Sequence, residues 1–293
     1  MDALVSIVIP VYNRKDLIQD TLESILNQTY THWECILVDD HSNDGTFEYL
    51  ASYIKSDQRF KLYSRPESLM KGGPSCRNYG FTQAKGEYIQ WFDSDDLMHQ
   101  DMLKLKVQAI ESGKHDYVVC LMDEFEDKTT IEKSYQIHSK RPVLDYFCNK
   151  LFFFTPGPLF SRTFLQEQVV DLFQPALRRH QEWEFYFRVI VTSLNYKPID
   201  KVLIHRRIHK ESLSKKIKVS ESAEFYLKSR ILALQFLRDK RLSINSSNSF
   251  FSKNLKGFFL LSIRKGSFNV LKLTLAYMFL MIEVNLLEKK KVL

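Results

Sequence analysis

The chain has 293 residues, of which 44% are hydrophobic and 26% charged, and its formal net charge is +7. This length and composition are typical of a folded protein and exclude a disordered or fibrous chain. Its four cysteines are widely spread and form no CxxC pair, which argues against both a disulfide framework and a zinc site. We therefore expect reduced thiols in a cytosolic protein.

The first hundred residues alternate apolar β-branched runs with segments whose apolar residues recur at helical spacing. Such alternation predicts an α/β fold whose mostly parallel sheet is flanked by helices, with ligands at the carboxyl ends of the strands. In chain order, the predicted strands are 5–10, 34–38, 60–63 and 88–92, and the predicted helices are 15–28, 46–54 and 75–84.

The alternation weakens after residue 115, where we predict a strand at 117–122 and a helix around 183–191. After residue 214 the sequence becomes basic and helical. We therefore predict a catalytic domain at 1–220, made of a nucleotide half (about 1–100) and an acceptor half (about 101–220). A basic amphipathic helical tail is predicted at 221–293.

Charge is distributed unevenly, since residues 201–293 carry 20 Lys and Arg against 6 Asp and Glu. A basic segment attracts nucleic acid, anionic lipid or acidic protein alike. Phe and Leu interleave with these cations at helical spacing, which favours an anionic membrane surface over nucleic acid as the partner. The alternative is that the helices pack on the main domain and expose a basic face to water.

The amino-terminal apolar run has no basic residues before it, which argues against a signal peptide. The longest apolar stretch near the end, 273–282, is shorter than the ~20 residues of a spanning helix. We expect a cytoplasmic protein, peripheral on the inner face of the membrane, with no transmembrane segment.

Two acidic clusters, Asp39-Asp40 and Asp93-Ser94-Asp95-Asp96, follow predicted strands and should converge in one cleft. Crowded carboxylates repel one another unless a cation neutralises them. Mg²⁺ and Mn²⁺ prefer such oxygen ligands and bind substrate phosphates as well, so the pattern indicates a metal-bound diphosphate. The alternative is that Asp95 or Asp96 caps a helix that starts near Met98.

The spacing of several blocks resembles the family 2 glycosyltransferases, which have the GT-A fold, transfer sugars with inversion and include bacterial cell-surface polysaccharide enzymes. The resemblance is carried by VSIVIPVYNRKDLIQDTLESILNQTYTHWECILVDDHSNDGT, by GGPSCRNYGFTQAKGEYIQWFDSDDLM, and by shorter blocks between residues 180 and 214.

The resemblance implies a site for a nucleotide-sugar donor, with Asp40 accepting the N3–H of a uracil or thymine ring and Arg77 facing the nucleotide. It also implies a Mn²⁺ or Mg²⁺ cofactor, although which Asp binds the metal stays open. The expected donor-binding residues are Pro10, Tyr12, Asn13, Asp40, Arg77, Asp93, Asp95 and Arg207, and the expected metal ligands are Asp95, Asp96 and His209.

On the acceptor side, Glu182 precedes Trp183 as the family's catalytic base does, and it would deprotonate the attacking hydroxyl. The chain has Gln181-Glu182 where the family commonly has Glu-Asp, so this base is one methylene longer. The alternative is an exposed Glu on a helix.

The implied function is non-processive inverting transfer, from a UDP-sugar, to a glycan or lipid-linked acceptor such as a lipopolysaccharide precursor. A processive synthase is disfavoured because no QxxRW segment is present, and a nucleotidyltransferase because no glycine-rich phosphate loop follows the first strand. A non-catalytic sugar-nucleotide-binding scaffold on a degenerate fold is the remaining alternative.

Overall fold

The computed structural model describes residues 2–126, 129–131, 135–169, 171–209, 218–244 and 248–286. They form two compact units that are each assembled from separate stretches of the chain. The first unit contains residues 1–137, 153–176 and 193–209, and the second contains 138–152, 177–192 and 210–293. Stretches of the first unit thus interrupt the second unit twice along the chain. The second unit therefore includes more of the chain than the tail predicted at 221–293, and the predicted domain division stays a prediction.

Within the described residues, the centre of the first unit is one mixed sheet of nine strands, with strand order β3-β2-β1-β4-β8-β6-β9-β5 and β7 paired to β6. Strands β1, β2, β3 and β4 pair in parallel, as the alternation predicts, while β8 is antiparallel to both β4 and β6. The strands are β1 Val5–Val11, β2 Trp33–Asp39, β3 Phe60–Ser64, β4 Tyr88–Trp91, β5 Leu97–Met98, β6 Tyr117–Glu126, β7 Thr129–Ile131, β8 Pro158–Ser161 and β9 Tyr196–Arg207.

Helices α1 (Ile18–Leu26) and α4 (Met102–Ser112) of the first unit each bury an apolar stripe in the main core. In α1, Ile18, Leu22 and Ile25 recur at helical spacing and are all buried in the main core. The described helices of this unit are α1 Ile18–Leu26, α2 Thr46–Tyr53, α3 Gly73–Gln83, α4 Met102–Ser112 and α6 Arg162–Gln168.

The alternative of a helix starting near Met98 is wrong. Leu97 and Met98 form β5 and pair antiparallel with His205 and Ile204 of β9, and the next helix begins only at Met102. Asp95 and Asp96 therefore precede a strand and do not cap a helix.

The second unit is helical, with α5 Pro142–Phe147, α7 Gln181–Thr192, α8 Val219–Asp239, α9 Asn248–Lys265 and α10 Phe268–Leu286. Its centre is Arg230 of α8, which is only 1% exposed. The guanidinium carbon lies 3.0 Å from the ring centroid of Trp183, and Nη2 donates to Asn149 Oδ1 at 2.7 Å. The cation–π attraction between the guanidinium and the aromatic ring stabilises this buried positive charge.

Helix α10 corrects the expectation that no segment is long and apolar enough to cross a membrane. Among the described residues it is the helix that meets this test, with 19 residues and a mean hydropathy of 1.3, because it extends beyond 273–282 at both ends. One stripe packs on α8 and buries Val270, Tyr277 and Met281. Other apolar side chains are exposed, Phe268 by 75% and Phe279 by 64%.

A matched pair of glycine substitutions tests the packing of α3 on the sheet. A Cβ on Gly80 would lie 2.4 Å from Val8 Cγ1, whereas a Cβ on Gly257 of α9 would meet nothing within 4 Å. Gly80→Ala should destabilise the protein by about 1–3 kcal/mol through overpacking against a stiff β-branched residue. Gly257→Ala should stabilise it by up to about 1 kcal/mol through helix propensity. Urea denaturation followed by circular dichroism measures both, and a stabilising Gly80→Ala would contradict this packing.

Candidate active site

The carboxyl ends of β1, β2 and β4 lie at the same edge of the sheet because these strands are parallel and adjacent. The Asp40 amide donates to the Val11 carbonyl at 2.8 Å, which ties the loop after β2 to the end of β1. Asp93 follows β4 by two residues. Both acidic clusters are thus presented at one edge, which is the predicted placement.

The two carboxylates after β2 have different partners. Asp39 accepts from the Ser42 amide at 2.9 Å and from its hydroxyl at 2.6 Å, so it organises the following loop. Asp40 forms an ion pair with Arg65 Nε, and each side chain is 7% exposed. Arg65 also donates to the carbonyls of Pro66 and Leu69. This arginine, which comes directly after β3, holds Asp40 in place and was not predicted from the sequence.

An open surface follows β1. The Tyr12 side chain is 40% exposed, and Lys71 Nζ lies 4.2 Å from the centroid of its ring. Asn13 has a φ of +50° and exchanges hydrogen bonds with Asn43, Nδ2 donating at 2.9 Å and Oδ1 accepting at 3.0 Å. Pro10 is half-buried and is the penultimate residue of β1. An exposed aromatic ring can stack on the planar base of a nucleotide, and a neighbouring lysine can bind the phosphate of the same nucleotide.

Three arginines surround the cluster after β4. Arg77 Nη2 donates to Asp93 at 2.7 Å, and Arg14 Nη2 lies 3.3 Å from Asp95. Arg207 uses its backbone amide, which donates to Asp96 at 3.1 Å, and its Nε, which donates to the Asp95 carbonyl at 3.1 Å. Arg207 Nη2 is paired with Asp20 at 2.6 Å, so this guanidinium is already bound at both ends.

Asp96 is the most deeply buried carboxyl of this cluster, at 2% exposed. Burial raises the pKa of this carboxyl well above its usual range, and the neighbouring Asp93 and Asp95 raise the pKa further. Each of these causes penalises the ionised form, which a bound cation would favour.

The residues present fit a divalent metal bound jointly with a substrate. His209 Nε2 lies 2.9 Å from Asp95 Oδ2, and its buried Nδ1 has no hydrogen-bond partner within the described residues. No group of three His, Cys, Asp or Glu side chains in the described part of the chain could hold a metal by itself. Mg²⁺ and Mn²⁺ sites commonly use one or two protein carboxylates and take the remaining ligands from phosphates and water.

Donors for an anion lie in the same region. In the part of the chain that the structure describes, Arg14 Nε and the Nε and Nη1 atoms of Arg77 are buried without a partner. Buried N–H groups are normally paired, so these atoms suit an anionic acceptor such as phosphate. The side-chain amide of Asn78 is already paired, since it exchanges hydrogen bonds of 2.8 and 3.1 Å with the backbone of Phe173.

Glu182 lies in the second unit, half-buried in the first turn of α7. The next acid along, Glu184, is 1% exposed and pairs with Arg188 Nε at 2.7 Å, so it stabilises the helix. Trp183 stacks on Tyr146 with centroids 5.7 Å apart. The helix that carries the predicted base is therefore fixed by its neighbours.

Comparison with known proteins identifies the class of protein. The sequence profile described as glycosyl transferase family 2 matches residues 6–169. The chain belongs to this family, whose members transfer sugars from nucleotide-sugar donors, and the predicted resemblance is confirmed.

Two curated relatives come from Bacillus subtilis strain 168. The chain is 40% identical over 105 residues to a putative teichuronic acid biosynthesis glycosyltransferase, TuaG, covering 36% of this chain and 41% of the relative. It is 30% identical over 217 residues to the putative glycosyltransferase EpsH, covering 71% of this chain and 62% of the relative. The matches thus span between about two fifths and three fifths of these relatives.

Solved structures confirm the GT-A fold class. The S. aureus TarS 1–349 structure in complex with UDP-GlcNAc has a TM-score of 0.65 at 20% identity, covering 79% of this chain and 65% of TarS. The mannosyltransferase PcManGT from Pyrobaculum calidifontis, in complex with GDP-Man and Mn²⁺, has a TM-score of 0.56 at 16% identity, covering 98% and 88%.

The buried Asp40–Arg65 pair yields a stability prediction. Asp40→Asn or Arg65→Met alone should destabilise the protein by about 3–5 kcal/mol, because each leaves a buried charge unpaired. The double variant should lose much less than the sum of the two. A double-mutant cycle by chemical denaturation measures the coupling, and additive losses would contradict a buried pair.

Proposed function

We propose that this protein is a non-processive, inverting glycosyltransferase. It would transfer a sugar from a UDP-sugar to a hydroxyl of a glycan or lipid-linked acceptor in cell-surface polysaccharide synthesis. The observation that carries the proposal is the edge of the sheet that holds both acidic clusters together with Arg14 and Arg77, whose buried Nε atoms have no hydrogen-bond partner among the described residues. The carboxylates there would bind the metal cation, and the arginines would bind the negatively charged diphosphate.

The choice of UDP and of a surface polysaccharide is supported by the similar proteins. TarS was solved with UDP and with UDP-GlcNAc, and TuaG is assigned to teichuronic acid biosynthesis. Asp40 would accept the N3–H of uracil, with Arg65 fixing the carboxylate, and Tyr12 and Asn13 would line the base beside Pro10. Arg77 would bind the nucleotide, with Asp93 at the ribose.

Asp95, Asp96 and His209 would hold a divalent ion, with Arg207 securing Asp96 from its backbone. The bound ion would neutralise charge on the departing diphosphate. Glu182 would take the proton of the acceptor hydroxyl, whose oxygen bonds to the anomeric carbon as the bond from that carbon to the diphosphate oxygen breaks. The configuration inverts because attack comes from the opposite face.

The donor site is tested by calorimetry with UDP in Mn²⁺ and in EDTA. We expect metal-dependent binding that falls at least about tenfold in Asp95→Asn, because a ligand charge is lost. The control Glu48→Gln, which removes an exposed charge on α2, should bind UDP like the unchanged protein. Equal binding in EDTA would reject the metal, and the absence of binding by any nucleotide diphosphate would favour the scaffold alternative.

The base assignment is tested with Glu182→Gln. Sugar transfer should fall about 10²–10⁴-fold, since general-base catalysis contributes that much, while UDP affinity should change less than twofold. Glu184→Gln serves as a control: it should mainly lower thermal stability, because it breaks the buried pair with Arg188. Full transfer activity in Glu182→Gln would remove this residue from the mechanism.

A peripheral membrane location is supported by exposed apolar and basic side chains on α9 and α10. Phe259, Ile263 and Phe279 are 48%, 63% and 64% exposed, and Lys256 and Arg264 are exposed as well. Exposed apolar groups beside cations suit an anionic bilayer surface.

Flotation with phosphatidylglycerol vesicles tests this location. The triple variant Phe259→Ser, Ile263→Ser and Phe279→Ser should lose binding, and phosphatidylcholine vesicles should bind less than the anionic ones. Unchanged flotation of the variant would refute the membrane surface. Retention of the full chain through carbonate extraction would indicate that α10 spans the bilayer instead.

A further inference from the structure

A cavity of about 500 Å³ lies within the second unit, at the start of α7 and against α8 and α9. This volume is in the range of about 300–1,000 Å³ found for small-molecule sites. On α8 it is lined by Val219, Ser222, Ala223 and Tyr226, which share one helix face. The acidic residues of the same turns, Glu221 and Glu224, do not line it.

One part of the cavity wall is apolar. The rings of Tyr226 and Phe258 pack with centroids 5.1 Å apart, and Leu261 of α9 also lines the cavity. Together with Val219 and Ala223, these side chains form a surface that suits a hydrocarbon chain.

The other end of the cavity is polar and positively charged. Arg179 Nη1 donates to the Ser222 hydroxyl at 3.0 Å, so its described hydrogen bond goes to a neutral group and not to a carboxylate. His180 packs edge-on against Tyr226 at 5.4 Å, and burial together with Arg230 and Arg179 lowers the pKa of His180 to about 4. The imidazole is thus neutral at pH 7.

Arg230 adds positive charge behind this wall. Its guanidinium carbon lies 4.3 Å from the Tyr226 ring, and its Nε and Nη1 atoms have no hydrogen-bond partner within the described residues. Two arginines near one polar pocket end, without a described carboxylate partner for either, favour an anion there.

The backbone at the polar end of the cavity has an unusual conformation. His180 has a φ of +58°, a conformation that is costly for a residue with a side chain. Its carbonyl accepts from the Glu184 amide at 3.0 Å, so the polar end adjoins the first helical turn that carries Glu182.

We propose that this cavity binds the carrier of the acceptor, and that the carrier is a phosphate ester of a long-chain alcohol. The phosphate is bound by Arg179 and Ser222, and the chain lies along Tyr226, Phe258 and Leu261. The proposal rests on the proposed function and narrows its acceptor from a glycan or lipid-linked molecule to a lipid phosphate.

Calorimetry on the full chain with farnesyl phosphate as the probe tests this assignment. Arg179→Gln should weaken binding at least about tenfold, because a charge-assisted hydrogen bond is lost. The matched control Arg178→Gln removes the same charge from an exposed neighbour that does not line the cavity, and it should change binding less than twofold. Val219→Glu, at a position that is 64% exposed, should also weaken binding by placing a carboxylate at the rim.

Equal weakening by Arg178→Gln and Arg179→Gln would overturn the proposal. So would farnesol or inorganic phosphate binding as tightly as farnesyl phosphate, since both the chain and the anion are required. Soluble dioctanoyl phosphatidylglycerol that binds equally and is lost in Arg179→Gln would assign the cavity to a bulk lipid headgroup and overturn the acceptor role.

UDP binding separates this proposal from the proposed function. Farnesyl phosphate that binds as expected to a chain without affinity for UDP would support the cavity and refute the assignment of a UDP-sugar as the donor. The reverse result would refute the cavity and leave the donor site standing.

Discussion

Parallel pairing of β1 with β2 and β4 is the constraint on which the donor site depends. It brings Asp40 and Asp93 to one edge of the sheet although 53 positions separate them in the chain. Carboxylates concentrated in this way must be neutralised. Arg65, Arg77 and Arg14 form ion pairs with Asp40, Asp93 and Asp95, respectively. Asp96 is buried, and its pKa is raised. A buried carboxyl beside arginine N–H groups that have no partner among the described residues suits a cation and a phosphate together.

Arginines have two different uses in this molecule. Arg65 and Arg188 satisfy buried carboxylates, Asp40 and Glu184, and so contribute to the folded state. Arg77 and Arg230 each keep two N–H groups without a partner among the described residues. Because an unpaired buried donor lowers the stability of the folded state, a ligand that accepts hydrogen bonds at these positions would stabilise the protein.

Much of the donor half was predictable because its signals are local. The apolar runs of β1 and β2 and the helical spacing of Ile18, Leu22 and Ile25 each lie within a few residues. The acidic clusters then follow from the rule that ligands gather at strand ends. The family match confirms the resemblance that was drawn from these same blocks.

Other features depend on contacts between distant residues, which a single sequence does not display. The two-residue strand β5 exists only because Leu97 and Met98 pair with β9, more than 100 positions away. Arg65 carries no motif that links it to Asp40. Arg230 lies in the segment that was predicted to be a basic tail, and arginine is rarely buried, yet this side chain is buried at the centre of the second unit.

The most direct test is a crystal structure of the protein grown with UDP and Mn²⁺, with data collected at the manganese absorption edge. We predict an anomalous peak bonded to the Asp95 carboxylate, at the ~2.0–2.2 Å typical of small hard cations with oxygen ligands, and a uracil ring hydrogen-bonded to Asp40. UDP bound elsewhere, or bound at this edge with no manganese beside Asp95, would contradict the assignment of the acidic edge as a metal-dependent donor site.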